Sequence, residues 1–409
     1  MSLLKNFIIE VESRGKNVRV ALVGAGQMGQ GIVTQLNKMT GVDLVLIVDK
    51  NDEKLDSAQA KYTKDKNHDM SIEKSIEAID NIELDIVIEA TGTPSSGADV
   101  ANKVLNRGIN LILLNVETEA TIGLALNQEA KRNNSIVTVG DGDEPVAAVE
   151  LYNFANEIGM EVIAIGKGKN NPFNTFATPK LLKDEAIKKK MNPYMLTSFV
   201  DGSKTMIEMA ALANYLDFNI DTEGMHGAEA TYENLNSIYI PKKDGGILNS
   251  RNIVDFAFGI APGVFAVVYS DDEYVNYEME YLKMGKGPYW TLARPYHLTS
   301  LEIPRTIMSL IVNKETKLSA EHWNVEVVAH AKEDILPGTN LGSIGGNLIY
   351  GKAMETSRAI NMLPLGIAEN NIANNKIKKG DPLTIDDATL VDNQLYRYWK
   401  KQIDLINIS

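Results

Sequence analysis

The sequence predicts an α/β protein whose N-terminal part is a doubly wound parallel sheet, on three observations. A short apolar run, VRVALV at 18–23, is followed at once by GAGQMGQGIVTQL, where the apolar period changes from strand-like to helical. Gly24, Gly26 and Gly29 in that turn are spaced as GxGxxG. Further short apolar runs recur at helical intervals, the pattern of parallel strands joined by crossover helices.

Taken in order, MSLLKNFIIEVESRGK mixes carboxylates with apolar residues and reads as an amphipathic helix; a secretion signal needs a basic start and an unbroken apolar run. The strand, turn and helix that follow are those of a Rossmann dinucleotide site. Gly24 permits the turn, Gly26 lets backbone approach a pyrophosphate, Gly29 lets helix pack on strand, and Gln27 and Met28 open the helix whose N–H groups face the phosphate. A Gly-rich turn without ligand is the alternative. The next strand, 44–48, ends at Asp49, where the ribose-binding acid of a dinucleotide fold belongs. An acid there favours NAD and the adjacent Lys50 favours NADP, so the cofactor is NAD or NADP; a plain turn residue is the other reading of Asp49.

Strands are expected at 85–89, 110–115, 135–139 and 162–165. Thr91 and Gly92 after the first of these, and Asn115 and Glu117 after the second, are placed to line the nicotinamide end of the crevice, though structural turns use the same residues. GDGDEP carries Asp141, Asp143 and Glu144, which either gather Mg²⁺ or form a loop that caps the helix starting near Pro145.

From Gly166 the chain turns rich in Lys, Asn and Pro, which marks a domain crossing. Lys167 and Lys169 follow a strand end and suit a carboxylate or phosphate, while Lys188–Lys190 reads as a solvated helix face. Residues 198–215 read as one helix with Asp201, Lys204 and Glu208 on one face, where Asp201 orients Lys204 and its ammonium polarises a carbonyl or donates a proton. An exposed helix with an ion pair is the alternative. FGIAPGVFAVVYS reads as a buried strand pair bent by Gly and Pro, and ARPYHL brings Arg294, Tyr296 and His297 together as an anion clamp or as an ordinary loop.

Composition narrows the function. The chain has 54 Asp and Glu against 41 Lys and Arg, a net charge of −13, which argues against nucleic acid and anionic membrane as partners. There is no cysteine, so disulfides, thiolate zinc and cysteine nucleophiles are excluded. His68, His226, His297, His322 and His330 show no ligand spacing, so no resident metal is expected. The longest near-apolar run, 256–269, is too short and too interrupted to span a bilayer, and a cytoplasmic protein is expected.

GAGQMG, EATG, LNVETEATIG, GDGDEP, GKGKN, SFVDGSKTMIEMAALAN and RPYHL recur in this order in the homoserine-dehydrogenase-like NAD(P)-dependent oxidoreductases that carry a C-terminal SAF domain, and nearly the whole chain resembles that family. The tail, AKEDILPGTNL and LPLGIAENNIANNKIKKGDPLT, is similar to the SAF pattern, a small β-clip module. The chain departs from true homoserine dehydrogenases in having Glu117 where they carry a lysine and APGVFA at 261–266 in place of their G-x-P-T-A-S turn, while Asp-x-x-Lys survives as Asp201 and Lys204. The resemblance implies a Rossmann domain over 1–160, an α+β substrate and oligomerisation domain over 161–325 and the SAF domain over 326–409. It also implies hydride transfer on a small, anionic hydroxy or oxo compound by a homo-oligomer. Catalysis falls to Lys204 with Asp201 and Glu208, and substrate binding to Lys167, Arg294 and His297. A 1-deoxy-D-xylulose 5-phosphate reductoisomerase-like branch of isoprenoid precursor synthesis uses NADPH with Mg²⁺ or Mn²⁺, for which Glu117, Asp143 or Glu208 would be ligands. A cofactor sensor without turnover is the reading outside enzymes.

Overall fold

The computed structural model describes residues 2–64 and 70–408, so His68 lies outside the described residues. The chain forms two compact units, the first from residues 1–146, 298–319 and 393–409, the second from 147–297 and 320–392.

In the first unit, α1 (Leu3–Arg14) precedes β1 (Val18–Val23), α2 (Gln27–Leu36), β2 (Val42–Val48), α3 (Asp52–Lys61), β3 (Ser71–Glu73), β4 (Ile86–Glu89), α4 (Pro94–Leu105), β5 (Asn110–Leu113), α5 (Val116–Arg132) and β6 (Val137–Val139). The six strands form one sheet in the order β3-β2-β1-β4-β5-β6, every pair parallel. That is the dinucleotide-binding order, with its switch point between β1 and β4. Parallel strands are covered on both faces. Val20 and Leu22 of β1, Leu44 of β2 and Ile86 of β4 are fully buried, with Ile32 and Leu36 of α2 and Phe7 of α1 in the same core.

Two later segments complete this unit and correct the contiguous domains read from the sequence. The helix Ile303–Val312 adds Ile303, Ile307 and Leu310 to the β1–β2 core. The irregular segment beyond it covers the open sheet edge, since Val139 N donates to Leu318 O at 2.8 Å and Lys317 N to Thr138 Oγ1 at 2.8 Å. An uncovered edge would leave those backbone groups to pair with another chain. The C-terminal helix Gln394–Ile408 lies on α4 and α5, burying Leu395, Tyr398 and Trp399, so it does not belong with the small domain assigned to 326–409.

In the second unit, α6 (Glu144–Glu157) leads into β7 (Glu161–Lys169), then α7 (Lys183–Lys189), α8 (Pro193–Val200), α9 (Ser203–Leu216), β8 (Ala228–Glu229), β9 (Ile253–Phe258), β10 (Val264–Tyr269) and β11 (Tyr289–Arg294). The sheet order is β11-β10-β7-β9-β8, with β7 antiparallel to β10 and parallel to β9. The run 162–165 is therefore the centre of a second, mixed sheet and not a further strand of the first. An apolar run has no local mark of which sheet it joins. β9 and β10 are buried strands as expected, but β7 lies between them. Residues 320–392 hold β12 (Val325–Ala331) and β13 (Ile349–Glu355), antiparallel and packed on α9, and a second short pair at 372–373 and 388–389. No helix of the described residues is long and apolar enough to cross a membrane.

Candidate functional site

The Gly-rich turn is shaped by steric demand at two of its three glycines. Gly24 has φ +101°, and a Cβ there would sit 2.5 Å from Ala90 O; a Cβ on Gly29 would collide with Gly24 O. Gly26 faces open space. Gly26 also caps α2 without any side-chain hydrogen bond, whereas α3, α4 and α5 are capped by Asn51, Thr93 and Asn115. The first turn of α2 therefore presents its N–H groups where backbone is bare, which suits a pyrophosphate. Below it lies a cavity of about 540 Å³ lined by Gly24, Gly26, Asp49, Lys50, Thr91 and Ser96, among others. Asp49 accepts from Ala25 N at 2.8 Å and from Asn51 N at 2.9 Å, so it buttresses the turn as well as lining the cavity. Gln27 and Met28 are exposed at the start of α2. These features fit a nicotinamide dinucleotide. Gly26→Ala should weaken NADH or NADPH binding at least about tenfold with a stability change under about 1 kcal/mol, while Gly29→Ala should lower the melting temperature; fluorescence titration and thermal denaturation read the two effects.

At the ends of β4 and β5 the expected residues hold one another. Thr91 donates through N at 2.8 Å and through Oγ1 to the Glu89 carboxylate, and Gly92 takes φ +83°. Asn115 donates to Thr93 O at 2.8 Å and accepts from Thr118 N at 3.2 Å, so it ties the two turns together while capping α5. Sequence reasoning passed over Glu89 as a strand residue, although an acid closing an apolar strand is itself a signal. Burial raises Glu89 to about 7, against hydrogen bonds from Thr91 and Asn115, and Glu117 raises it further. A carboxyl raised this way stabilises the fold fully below its unfolded value near 4.5, and that contribution is lost as pH rises through 7. Relative to Glu89→Gln, the wild type should lose roughly 2–4 kcal/mol between pH 5 and 8 in urea denaturation; parallel pH curves for the two proteins would remove Glu89 as the cause.

In GDGDEP the three carboxylates divide. Asp141 is buried and accepts from Thr306 Oγ1 at 2.8 Å while its own N donates to that hydroxyl at 2.7 Å. Asp143 accepts from Glu144 N at 2.9 Å, at the start of α6.

The second unit carries a buried charge cluster. Lys167 and Lys169 lie inside β7, not beyond it, because the strand continues to residue 169. Gly166 and Gly168 point to the opposite face, where a Cβ would strike Asp255 O and, at 2.5 Å, Ala261 N. Lys167 donates to Glu208 of α9, and Lys204 Nζ lies 3.8 Å from the other Glu208 oxygen. Burial alone would raise Glu208, but Lys167, Lys204, the Lys167 hydrogen bond and His297 together hold it below the usual carboxylate range. Val264 is in register with both Lys167 and Arg294, which places those two on one face of the sheet, two strands apart. Arg294 pairs with Glu150 at 2.7 Å and lies over the Tyr296 ring at 4.8 Å.

Asp201 is not part of this cluster, and the single helix over 198–215 is not continuous. It breaks at Asp201–Gly202, where Gly202 takes φ +90°, and almost every residue of α9 is buried, so the polar face is internal. Asp201 is fully buried and accepts from Lys332 Nζ at 2.7 Å and Ser203 N at 2.8 Å. Lys332 places its other two protons on Ala177 O at 2.8 Å and Gly346 O at 2.7 Å. Burial raises Asp201 and lowers Lys332, each opposed by its partner's charge. Asp201 thus anchors residues 320–392 to the α8–α9 turn instead of orienting Lys204.

Residues 24–140 match the family model of the homoserine dehydrogenase NAD binding domain, and residues 142–303 that of the catalytic domain of Oxidoreductase DRL. The chain is an NAD(P)-dependent oxidoreductase. Among solved structures, an oxidoreductase from Agrobacterium radiobacter in complex with NAD+, L-tartaric acid and magnesium is 12% identical over 74% of this chain and 91% of that one, with a TM-score of 0.46. A myo-inositol dehydrogenase from Corynebacterium glutamicum is 16% identical over 68% and 75%, with a TM-score of 0.39. A dehydrogenase from Chromobacterium violaceum is 20% identical over 40% of this chain and 47% of that one, with a TM-score of 0.30. No curated protein sequence is significantly similar to this chain.

Proposed function

We propose that this oxidoreductase transfers hydride between NAD(P) and a small anionic hydroxy or oxo compound, with Lys204 as acid and base. The observation that carries this reading is the cluster of Lys167, Lys204 and His297 around one ionised, buried Glu208 in a chain of net charge −13. Lys167 and Lys204 hold that buried carboxylate in its ionised form, and cationic side chains gathered in this way suit an anionic substrate. The cofactor supplies the hydride, and Gly24, Gly26, Gln27, Met28, Gly29, Asp49, Thr91, Gly92, Asn115 and Glu117 are our assignment for holding it. In the reducing direction the Lys204 ammonium donates a hydrogen bond to the substrate carbonyl oxygen and passes its proton as the carbon gains hydride. Glu208 keeps Lys204 charged beforehand and stabilises its position. Lys167, Arg294 and His297 take the substrate anion, with Lys167 held ready by Glu208 and Arg294 by Glu150. We read residues 326–392, with their short antiparallel pairs, as the SAF module.

The test is oxidation of NADH and NADPH by the purified protein with a panel of 2-oxo acids, sugar acids and 1-deoxy-D-xylulose 5-phosphate, each with and without Mg²⁺ or Mn²⁺. Turnover of anionic compounds, lost with their neutral amides, supports the proposal. Metal-dependent turnover of the sugar phosphate selects the reductoisomerase reading, in which Glu208 would exchange its Lys167 ion pair for a metal. Cofactor binding with no turnover of any member supports a sensor and overturns hydride transfer.

A further inference from the structure

Leu395, Tyr398, Trp399 and Gln402 share one face of the C-terminal helix Gln394–Ile408, at spacings of three and four. The first three make that face apolar, yet its fourth member is a glutamine that is 2% exposed. A side-chain amide is costly to bury unless both its donor and its acceptor are met. Both are met by α5: Gln402 Nε2 donates to Thr121 O at 3.2 Å, and Gln402 Oε1 accepts from Ala125 N at 3.3 Å. Thr121 and Ala125 are residues i and i+4, so the amide holds the acceptor and the donor of one helical hydrogen bond. The C-terminal helix thus grips α5 by its backbone at a defined turn, and one polar residue in an apolar stripe fixes register in this way.

That turn leads directly to the start of α5. Thr121 Oγ1 donates to Glu117 O at 2.7 Å, one turn earlier, and Asn115 caps the helix roughly 9 Å from Thr121 along its axis. Asn115 in turn donates to O of Thr93, the cap of α4. The two helices meet there without slack, since a Cβ on Gly97 would lie 2.0 Å from Thr118 Oγ1 and 3.0 Å from Asn115 Nδ2. The C-terminal helix touches α4 as well, with Tyr398 Oη donating to Asn102 at 3.4 Å. Close-packed elements shift as bodies instead of compressing. The register of the C-terminal helix on α5 therefore also sets where Asn115 and Glu117 stand relative to Thr91 and Gly92.

We propose that Gln402 is a positioning residue for the cofactor: by gripping the Thr121–Ala125 turn it sets the spacing between the starts of α4 and α5, and with it the fit of the nicotinamide half of the dinucleotide. This rests on our assignment of Thr91, Gly92, Asn115 and Glu117 to that half. The adenosine and pyrophosphate half is assigned to Gly24, Gly26 and Asp49, on the β1 and β2 side of the switch point, so Gln402 acts on one half of the ligand and not on the other.

Calorimetric titration of the full chain with NADH, NADPH and ADP-ribose tests this, because ADP-ribose carries the adenosine and pyrophosphate without the nicotinamide. Gln402→Leu keeps the buried volume and leaves Thr121 O and Ala125 N to pair with each other, and Gln402→Met removes the amide with an unbranched chain should the first variant fold poorly. Each should bind the preferred dinucleotide about fivefold more weakly and ADP-ribose within about twofold of wild type, the scale of coupling carried through packed elements. Lys401→Ala removes the exposed pair with Glu129 from the same helix and should change neither affinity. Equal weakening of dinucleotide and ADP-ribose would make Gln402 a stabilising residue only and overturn the proposal, as would unchanged affinity for both. A wild type that binds ADP-ribose as tightly as either dinucleotide would overturn the assignment of the nicotinamide end, and the proposal with it.

Discussion

Replacing Lys204 with alanine is expected to lower kcat at least about a hundredfold, the scale of a positioned general acid or base. Cofactor affinity should hold, because our assignment places the phosphates at the turn around Gly26 and the start of α2, whose backbone is bare of side-chain caps. The effect should fall mainly on kcat, since the proton is delivered in the transition state, whereas Lys167→Met should act mainly on KM by removing a partner for the substrate anion. Lys204→Arg keeps the charge but holds its proton too tightly to release it, so it should recover little of kcat. Glu208→Gln adds a pH readout. Without that carboxylate two neighbouring ammonium groups lose their shared counter-charge, and the rate profile should shift to lower pH. A Lys204→Ala enzyme within a few-fold of wild-type kcat would remove Lys204 from the chemistry.

Lys332→Met is expected to destabilise the protein by roughly 3–5 kcal/mol, the range for breaking a buried ion pair from one side. The side chains of Lys332 and Asp201 are 1% and 0% exposed, so Asp201 is left buried without its counter-charge. The donors that remain are the backbone N and the side chain of Ser203, both neutral. The loss should be smaller at pH 5 than at pH 8. Without Lys332, burial is opposed only by the Ser203 hydrogen bonds, so the folded value of Asp201 rises further above the unfolded one, and that protonated form survives only at the acidic end. The paired change Asp201→Leu with Lys332→Met should recover most of the stability, because no buried charge remains. Urea denaturation of the three variants at both pH values decides this. Equal losses at pH 5 and 8, with no recovery in the double variant, would assign the damage to packing around Lys332.

The parts of the fold that were legible in the sequence are those governed by neighbours in the chain. The turn at 24–29 needs glycine because of contacts with Ala90 and with Gly24 itself, and GxGxxG records that need. The strands β1, β2, β4 and β5 were visible because parallel strands covered on both faces are continuous apolar runs. Lys167, Lys204, Glu208 and His297 were each singled out from local patterns, and the structure groups them. Lys332 was not, although it closes the alternating run VEVVAHA, just as Glu89 closes IVIE. A charged residue ending an apolar strand is a signal in both places.

By itself the sequence determined the nucleotide turn, the alternation of strands and helices in the first unit, and the acidic balance against which a few lysines stand out. Each depends on backbone conformation or composition within a short window. Only the tertiary structure decided that 162–165 belongs to a second sheet, that 298–319 and 393–409 return to the first unit, and that the partner of Asp201 is Lys332, 131 residues further on, and not Lys204 one turn away. A buried carboxylate is stabilised by whichever charge the packed chain brings to it, and burial is set by contacts between segments that no local spacing relates.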